Sequence, residues 1–131
     1  MARYESAWWS AEIPSGWTAE ADEACATFLR SGGALQISAA RKDFGDVTDE
    51  DVAEYARDTY GSEASFLPAA FGVLRGLHHE WEEGGAARQA WLLRQGRVLL
   101  FITYYSESPA LGSELSDVRQ VILSPISKLP A

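Results

Sequence analysis

The fold of this chain is decided by the stretch RQAWLLRQGRVLLFITYY, residues 88–105. Apolar side chains fill almost every position on both sides of Gln95-Gly96, where the glycine favours a tight turn. A strand with one solvated face alternates apolar and polar residues, whereas a nearly continuous apolar strand is covered on both faces. The stretch therefore predicts a hairpin within an antiparallel sheet that has other structure packed on each face.

Further strands are predicted on the N-terminal side of this hairpin. One begins near Gly72 and ends at the turn Glu82-Glu83-Gly84-Gly85. Near the N-terminus, Ile13-Pro14-Ser15-Gly16 has Pro at the second and Gly at the fourth position of a type I turn, which predicts another hairpin. The segments 18–22, 24–29 and 34–39 also have the composition of strands.

Two helices are predicted. Thr48-Asp49-Glu50-Asp51 combines a capping hydroxyl with carboxylates that the helix dipole favours, and Gly61 is a natural end for this helix. The second helix starts near Ser113 or Ser116. Its predicted buried stripe is Leu115, Val118, Ile122, Ile126 and Leu129.

The order of these elements predicts an α+β protein with a single antiparallel sheet flanked by helices. Consecutive strands are joined by short turns rather than helical crossovers, which argues against a doubly wound parallel sheet. With 131 residues, of which 47% are hydrophobic, the chain suits one domain that spans residues 1–131.

The charge balance excludes several classes of partner. The formal net charge is -8, whereas nucleic acids and anionic membranes attract basic surfaces. No apolar run approaches the roughly 20 residues that cross a bilayer, and the N-terminus lacks an apolar core of signal-peptide length. We therefore expect a cytoplasmic protein that binds neither nucleic acid nor membrane.

Catalytic and metal-binding motifs do not stand out in the sequence. In His78-His79-Glu80 the two adjacent imidazoles would lie on opposite faces of a strand, and Cys25 is the chain's single cysteine. The serine elbow, the P-loop and the dinucleotide glycine pattern do not occur in the sequence. We expect no catalytic residues, no metal site and no cofactor.

Aromatic residues are abundant, with five Trp, five Tyr and five Phe. We predict that four of these residues lie in the core, namely Phe28, Phe71, Trp91 and Phe101. Aromatic side chains at surfaces anchor interfaces, and adjacent residues of a strand cannot both face inward. The candidate partner-binding residues are Trp8, Trp9, Trp17, His79, Tyr104 and Tyr105.

The arrangement resembles the PsbP-like fold and, within it, the DcrB-like bacterial members. The resemblance is carried by Ile13-Pro14-Ser15-Gly16-Trp17 after a Trp-containing strand, the helix from Thr48, the hairpins from Gly72 to Tyr105 with Ile102-Thr103-Tyr104, and the closing helix through Ile126. It implies an antiparallel sheet flanked by helices. It also implies that the protein binds a partner and is not an enzyme. Proteins with this fold include a photosynthetic accessory subunit, an import factor that binds the GTPase Ran, and chaperones of type VI secretion effectors.

The leading hypothesis is therefore a non-enzymatic cytoplasmic domain that binds another protein, in its specific form a chaperone or adaptor for a secreted effector. One alternative is a small-molecule-binding protein or enzyme with a cleft between sheet and helix that uses His79, Tyr104 or Tyr105. The other alternative is a homodimeric structural protein paired through an edge strand.

Overall fold

The computed structural model of the chain describes residues 2–5, 9–13, 16–21, 25–30, 33–62, 64–71, 74–107 and 126–127. The strands are β1 (Ala2–Glu5), β2 (Trp9–Ile13), β3 (Thr18–Ala21), β4 (Cys25–Arg30), β5 (Gly33–Arg41), β6 (Leu67–Phe71), β7 (Leu74–Glu83), β8 (Ala86–Gln95), β9 (Val98–Glu107) and β10 (Ile126–Ser127). The helix α1 (Asp49–Tyr60) lies between β5 and β6.

The strands form two antiparallel sheets. The larger has seven strands in the order β3-β4-β5-β9-β8-β7-β6, and the smaller has three in the order β1-β2-β10. In the larger sheet β5 pairs with β9, so residues 33–41 lie beside residues 98–106. The predicted antiparallel sheet is confirmed, although the chain divides it between two sheets.

Glycines make the two tight turns of the central hairpins. Gly84 and Gly85 join β7 to β8 with φ of 62° and 80°, the pair of positive angles that a type I′ turn requires. Between β8 and β9 the two loop residues are Gly96, with φ of 57°, and Arg97. A positive φ at the first loop residue alone suits a type II′ turn, whose twist matches that of the strands.

The double burial predicted for residues 88–105 is confirmed, because successive side chains of β8 and β9 enter two different core clusters. Leu92 and Leu99 pack under α1 with Val47, Val52 and Ala56, on what we term the helix face. Fully burying a side chain such as Leu92 contributes roughly 2 kcal/mol. On the opposite face the core cluster comprises Trp17, Ala26, Phe28, Leu35, Ile37, Leu74, Trp91, Leu93, Val98, Leu100, Ile102 and Tyr104.

The helix α1 begins and ends where the sequence predicts. Thr48 is its N-cap, and a capping box forms because the Thr48 side chain accepts from the Asp51 amide while the Asp51 carboxylate accepts from the Thr48 amide. The hydrogen bonds from Lys42 and from the Thr48 amide lower the pKa of Asp51 to about 2. Gly61, with φ of 87°, ends the helix.

Two sequence predictions are corrected by the sheet topology. The turn at Ile13–Gly16 does not join a hairpin, because β2 pairs with β1 and β10 whereas β3 pairs with β4. Between Ile13 and Thr18 the chain therefore passes from the smaller sheet to the larger. Ile126, predicted to lie in a second helix, is instead in β10, and the rest of that predicted helix lies outside the described residues. The single sheet flanked by helices is thus two sheets, with α1 the helix among the residues described.

The capping box predicts the effect of a substitution at Thr48. Thr48→Ala removes the side-chain acceptor and is expected to lower the free energy of unfolding by about 1 kcal/mol. Thr59→Ala, an exposed position in the same helix, is the control and should change it by less than about 0.5 kcal/mol. Urea unfolding measures both variants, and equal effects would show that the cap has no special role.

Gly76 predicts a second, larger effect. A Cβ there would collide with the backbone carbonyl oxygen of Leu92 and lie 2.8 Å from its carbonyl carbon. Gly76→Ala must therefore separate β7 from β8, and we expect a loss of about 3 kcal/mol in urea unfolding. Gly45→Ala, where φ is 79° but the space is open, should cost only about 1 kcal/mol. Similar losses for the two variants would refute the steric explanation.

Candidate functional site

The C-terminal end of α1 meets the sheet through an aromatic cluster, which we define as Tyr60, Phe66, His79, Trp81 and Phe101. The ring of Tyr60 lies at the centre, 5.3 Å from His79, 5.4 Å from Trp81, 5.9 Å from Phe66 and 6.2 Å from Phe101, measured between centroids. Most of these contacts are edge-on or tilted, the geometries that aromatic quadrupoles favour. The cluster fixes the end of the helix against β7 and β9.

The two adjacent histidines lie on opposite faces, as strand alternation predicts. His79, on the helix face, stacks on Trp81 at 4.8 Å and 17°, and its Nδ1–H donates to the Ser65 carbonyl oxygen at 2.8 Å. His78 stacks on Trp91 at 5.0 Å and 10° and contacts the Oε1 atom of Gln89 at 2.9 Å. Each imidazole is thus held by neighbours. The described residues contain no group of three His, Cys, Asp or Glu side chains that could hold a metal ion.

Next to the aromatic cluster the helix face opens into a cavity of about 280 Å³, which we term the Arg88 groove. The helix ends at Tyr60, so it does not cover the sheet beyond this point. Side chains from four strands and from α1 line the groove, namely Ala34, Gln36, Tyr60, Trp81, Arg88, Thr103 and Tyr105. Gln89 and Tyr104 reach it through their backbone, because their side chains are buried on the opposite face.

Arg88 supplies the charge of the groove. Its guanidinium carbon lies 5.0 Å from the centroid of the Tyr105 ring, a cation-π contact. Its Nε is 3.7 Å from the Oε1 atom of Glu83, close enough for charge attraction but too long for a hydrogen bond. This Nε is buried and has no hydrogen-bond acceptor among the described residues, although the Arg88 side chain as a whole is 39% exposed. The groove therefore offers aromatic walls and a partly exposed cationic side chain.

The candidate residues from the sequence fall into two groups. Tyr105 lines the groove, and His79 supports its Trp81 wall. Trp17 and Tyr104 are only 6% and 1% exposed and pack together at 6.4 Å between ring centroids. These two rings belong to the core cluster on the face opposite the groove, and their burial does not support a role in partner contact.

The remaining candidates lie near the N-terminus. Trp8 falls outside the described residues, and Trp9 is the first residue of β2, paired with Ser127 of β10. The proposed contacts of these two tryptophans therefore stay predictions. Among the residues predicted for the core, Phe28 and Trp91 are buried, and Phe71 and Phe101 are partly buried against the core clusters.

Sequence reasoning missed the groove residues Tyr60, Trp81 and Arg88. One signal was available for Trp81, since it lies two residues after His79 and so shares its face of β7. The register places Arg88 between Trp81 on one neighbouring strand and Tyr105 on the other. Such a cross-strand trio has no local sequence signature, because it depends on how three strands are aligned.

Comparisons with known proteins support the fold. No protein-family model matches the chain, and no curated protein matches it. A crystal structure from Bacteroides thetaiotaomicron VPI-5482, at 1.50 Å resolution, is similar with a TM-score of 0.70 and 17% identity over 97% of this chain. The chain spans about half of that protein, 48% of its length.

The solution structure of cyanobacterial PsbP (CyanoP) from Synechocystis sp. PCC 6803 is also similar, with a TM-score of 0.50 and 11% identity over 96% of this chain and 91% of that one. The chain thus has a PsbP-like fold over most of its length, as its sequence predicts. At these identities the likeness concerns the fold alone, and membership in the DcrB-like subgroup stays a prediction.

The aromatic cluster predicts a pH effect at Tyr60. Burial, with a smaller contribution from Tyr55, raises the pKa of Tyr60 above its usual value of 10.0. As the pH rises, the Tyr60 phenol therefore ionises in the unfolded chain before it ionises in the folded protein. Its contribution to the free energy of unfolding is fully present below pH 10 and is lost as the pH rises through the folded-state pKa. The Tyr60→Phe variant keeps the aromatic ring but has no hydroxyl group that can ionise. Chemical unfolding from pH 9 to 11.5 should show the wild type losing more stability than the variant, and parallel curves would contradict this.

Proposed function

We propose that this protein is a non-enzymatic domain that binds a segment of another protein in the Arg88 groove. The observation that carries the proposal is the groove itself, where the cationic Arg88 lies between two aromatic walls with its Nε lacking an acceptor. Aromatic rings and arginine are the side chains that most often dominate binding energy at protein interfaces. A partner could contact the part of the Arg88 side chain that is exposed to solvent, 39% of it.

The shape of the groove favours a partner segment over a substrate. Its volume, about 280 Å³, lies just below the range of roughly 300–1,000 Å³ for small-molecule pockets, and it is open to solvent. Catalysis by acid and base needs titrating groups directed at one reacting atom. The pKa of Tyr60 in the groove lining is raised, and burial in the aromatic cluster accounts for the shift without any role in a reaction. This argues for binding rather than chemistry.

The lining defines what the segment must offer. An apolar or aromatic side chain would pack between Trp81 and Tyr105, and an oxygen acceptor, such as a backbone carbonyl, would bind the exposed part of the Arg88 side chain. Beside the groove, Glu83 is exposed on β7, and the whole chain carries a net charge of -8. Basic residues flanking the apolar side chain would therefore strengthen association.

The specific form of the proposal is a chaperone or adaptor that shields an apolar segment of a secreted effector in the cytoplasm. In the described part of the chain, no helix has the length and apolar character needed to span a membrane. Trp9, in β2 of the smaller sheet, is proposed as a further residue that contacts the partner. The functional alternatives, a small ligand in the groove or pairing of two copies through an edge strand, are outcomes of the test.

The test is affinity capture from the native cell extract followed by mass spectrometry, using variants of the groove. Arg88→Gln removes the charge and Gln36→Arg places a bulky residue at an exposed position of the lining. Arg88→Gln should reduce recovery of a stoichiometric partner at least about tenfold, the effect of losing one charge-assisted contact. Gln36→Arg should also reduce recovery, because its larger side chain fills space that the partner segment would occupy. Arg57→Gln, an exposed arginine of α1 outside the groove, is the control and should leave capture unchanged.

Two outcomes would contradict the proposal. Recovery of the domain alone at low and moderate salt would exclude a stable protein partner, and sedimentation would then show whether two copies pair. A partner captured equally by wild type and both groove variants would place the contact elsewhere. In that case Trp9→Ala is the next variant, since β2 belongs to the other sheet.

A further inference from the structure

A second cavity, of about 420 Å³, lies at the opposite end of α1 from the Arg88 groove. It is bounded by the first turns of the helix on one side and by β6 and β7 on the other. Its walls are largely apolar and its polar side chains are Asp49, Arg75 and Arg94. The apolar part of the lining comprises Val52, Ala53, Pro68, Ala69, Ala70, Gly76 and Leu77. We term it the arginine cavity.

The two arginines are direct neighbours across the sheet. Arg75 of β7 pairs with Arg94 of β8 in the antiparallel register, so both side chains leave the same face at the same level. Like charges directly opposite each other destabilise a sheet. Such a pair in a chain with a net charge of -8 is therefore a local concentration of positive charge.

One carboxylate partly balances this pair. The Nε of Arg94 donates to the Oδ1 atom of Asp49 at 2.7 Å. This hydrogen bond, together with the charges of Arg94 and Arg75, lowers the pKa of Asp49. No carboxylate of the described residues lies within ion-pair distance of Arg75. Two positive charges and one negative charge thus leave the mouth of the cavity with one net positive charge.

From this geometry we propose that the arginine cavity binds a small amphipathic anion, whose carboxylate or phosphate head contacts Arg75 and Arg94 and whose apolar body packs against the cavity wall. The volume suits a ligand of modest size. Arginine's planar fork matches the oxygens of either head group. Val52, Ala53 and Leu77 provide the apolar contact. The site is separate from the Arg88 groove, so it does not depend on the function proposed there.

Octanoate is the first probe, with acetate and octan-1-ol as controls that keep only the head or only the chain. Octyl phosphate distinguishes the two head groups. Binding is followed in ¹H–¹⁵N spectra through the Nε–H signals of the arginines and the backbone signals of Leu77. We expect saturable binding of octanoate or octyl phosphate, with signals of Arg75 and Arg94 shifting together. Acetate and octan-1-ol should bind at least about tenfold more weakly.

Two variants give opposite expected effects. Arg75→Gln should weaken octanoate binding about tenfold or more, whereas Arg57→Gln, the matched control outside the cavity, should not change it. Asp49→Asn removes the competing carboxylate and should tighten binding about threefold, as expected for one unit charge some 6 Å away in water. Asp49 is 80% exposed and Arg75 is exposed, so both variants should fold.

The proposal is overturned by any of three results. The first is the absence of saturable binding by every anionic probe up to millimolar concentration. The second is equal affinity for octanoate and octan-1-ol, which would show that the arginines do not recognise the head. The third is equal loss of affinity in Arg75→Gln and Arg57→Gln, which would indicate general charge attraction. Failure of capture through the Arg88 groove would leave all three results unaffected.

Discussion

The structure depends on the burial of β8 and β9 on both faces. Their side chains enter two cores in strict alternation, so neither strand can lie at an edge and each needs a neighbour on both sides as well as cover above and below. The helix α1 provides cover on one face because Val52 and Ala56 meet Leu92 and Leu99. The capping box and Gly61 then fix where that cover begins and ends.

Because α1 is short, the cover is incomplete. Its 12 residues span roughly 18 Å, whereas the 10 residues of β8 span roughly 33 Å. The contacts show the direction of the helix, since Asp49 bonds to Arg94 near one end of β8 and Tyr60 packs on Trp81, which lies opposite Arg88, toward the other. The sheet beyond Tyr60 is left open, and the Arg88 groove lies there.

Local signals in the sequence predicted local structure well. The Gly84-Gly85 turn, the capping residues from Thr48 and the apolar run 88–105 each depend on neighbouring residues alone. The prediction of a hairpin at Ile13–Gly16 was wrong because it needed more than local information. Residues typical of a turn do not determine which strands pair with each other, and here β2 pairs with β1 while β3 pairs with β4. Strand alternation likewise predicted that Tyr104 and Tyr105 lie on opposite faces of the sheet. It did not predict which of the two faces is open to solvent. The groove joins α1, β5, β7, β8 and β9, so only the register of the sheet reveals it.

Charge distribution gives the two cavities a common feature. The chain has 19 acidic and 11 basic residues, yet both cavities at the ends of α1 are lined by arginine. On a strongly acidic surface an arginine is usually neutralised by nearby carboxylates, as Arg94 is by Asp49. Arg88 keeps its Nε without an acceptor, and Arg75 has no described carboxylate within ion-pair distance. A helix that covers only the middle of its sheet face thus leaves a solvent-accessible arginine side chain at each end, Arg88 at one and Arg75 at the other.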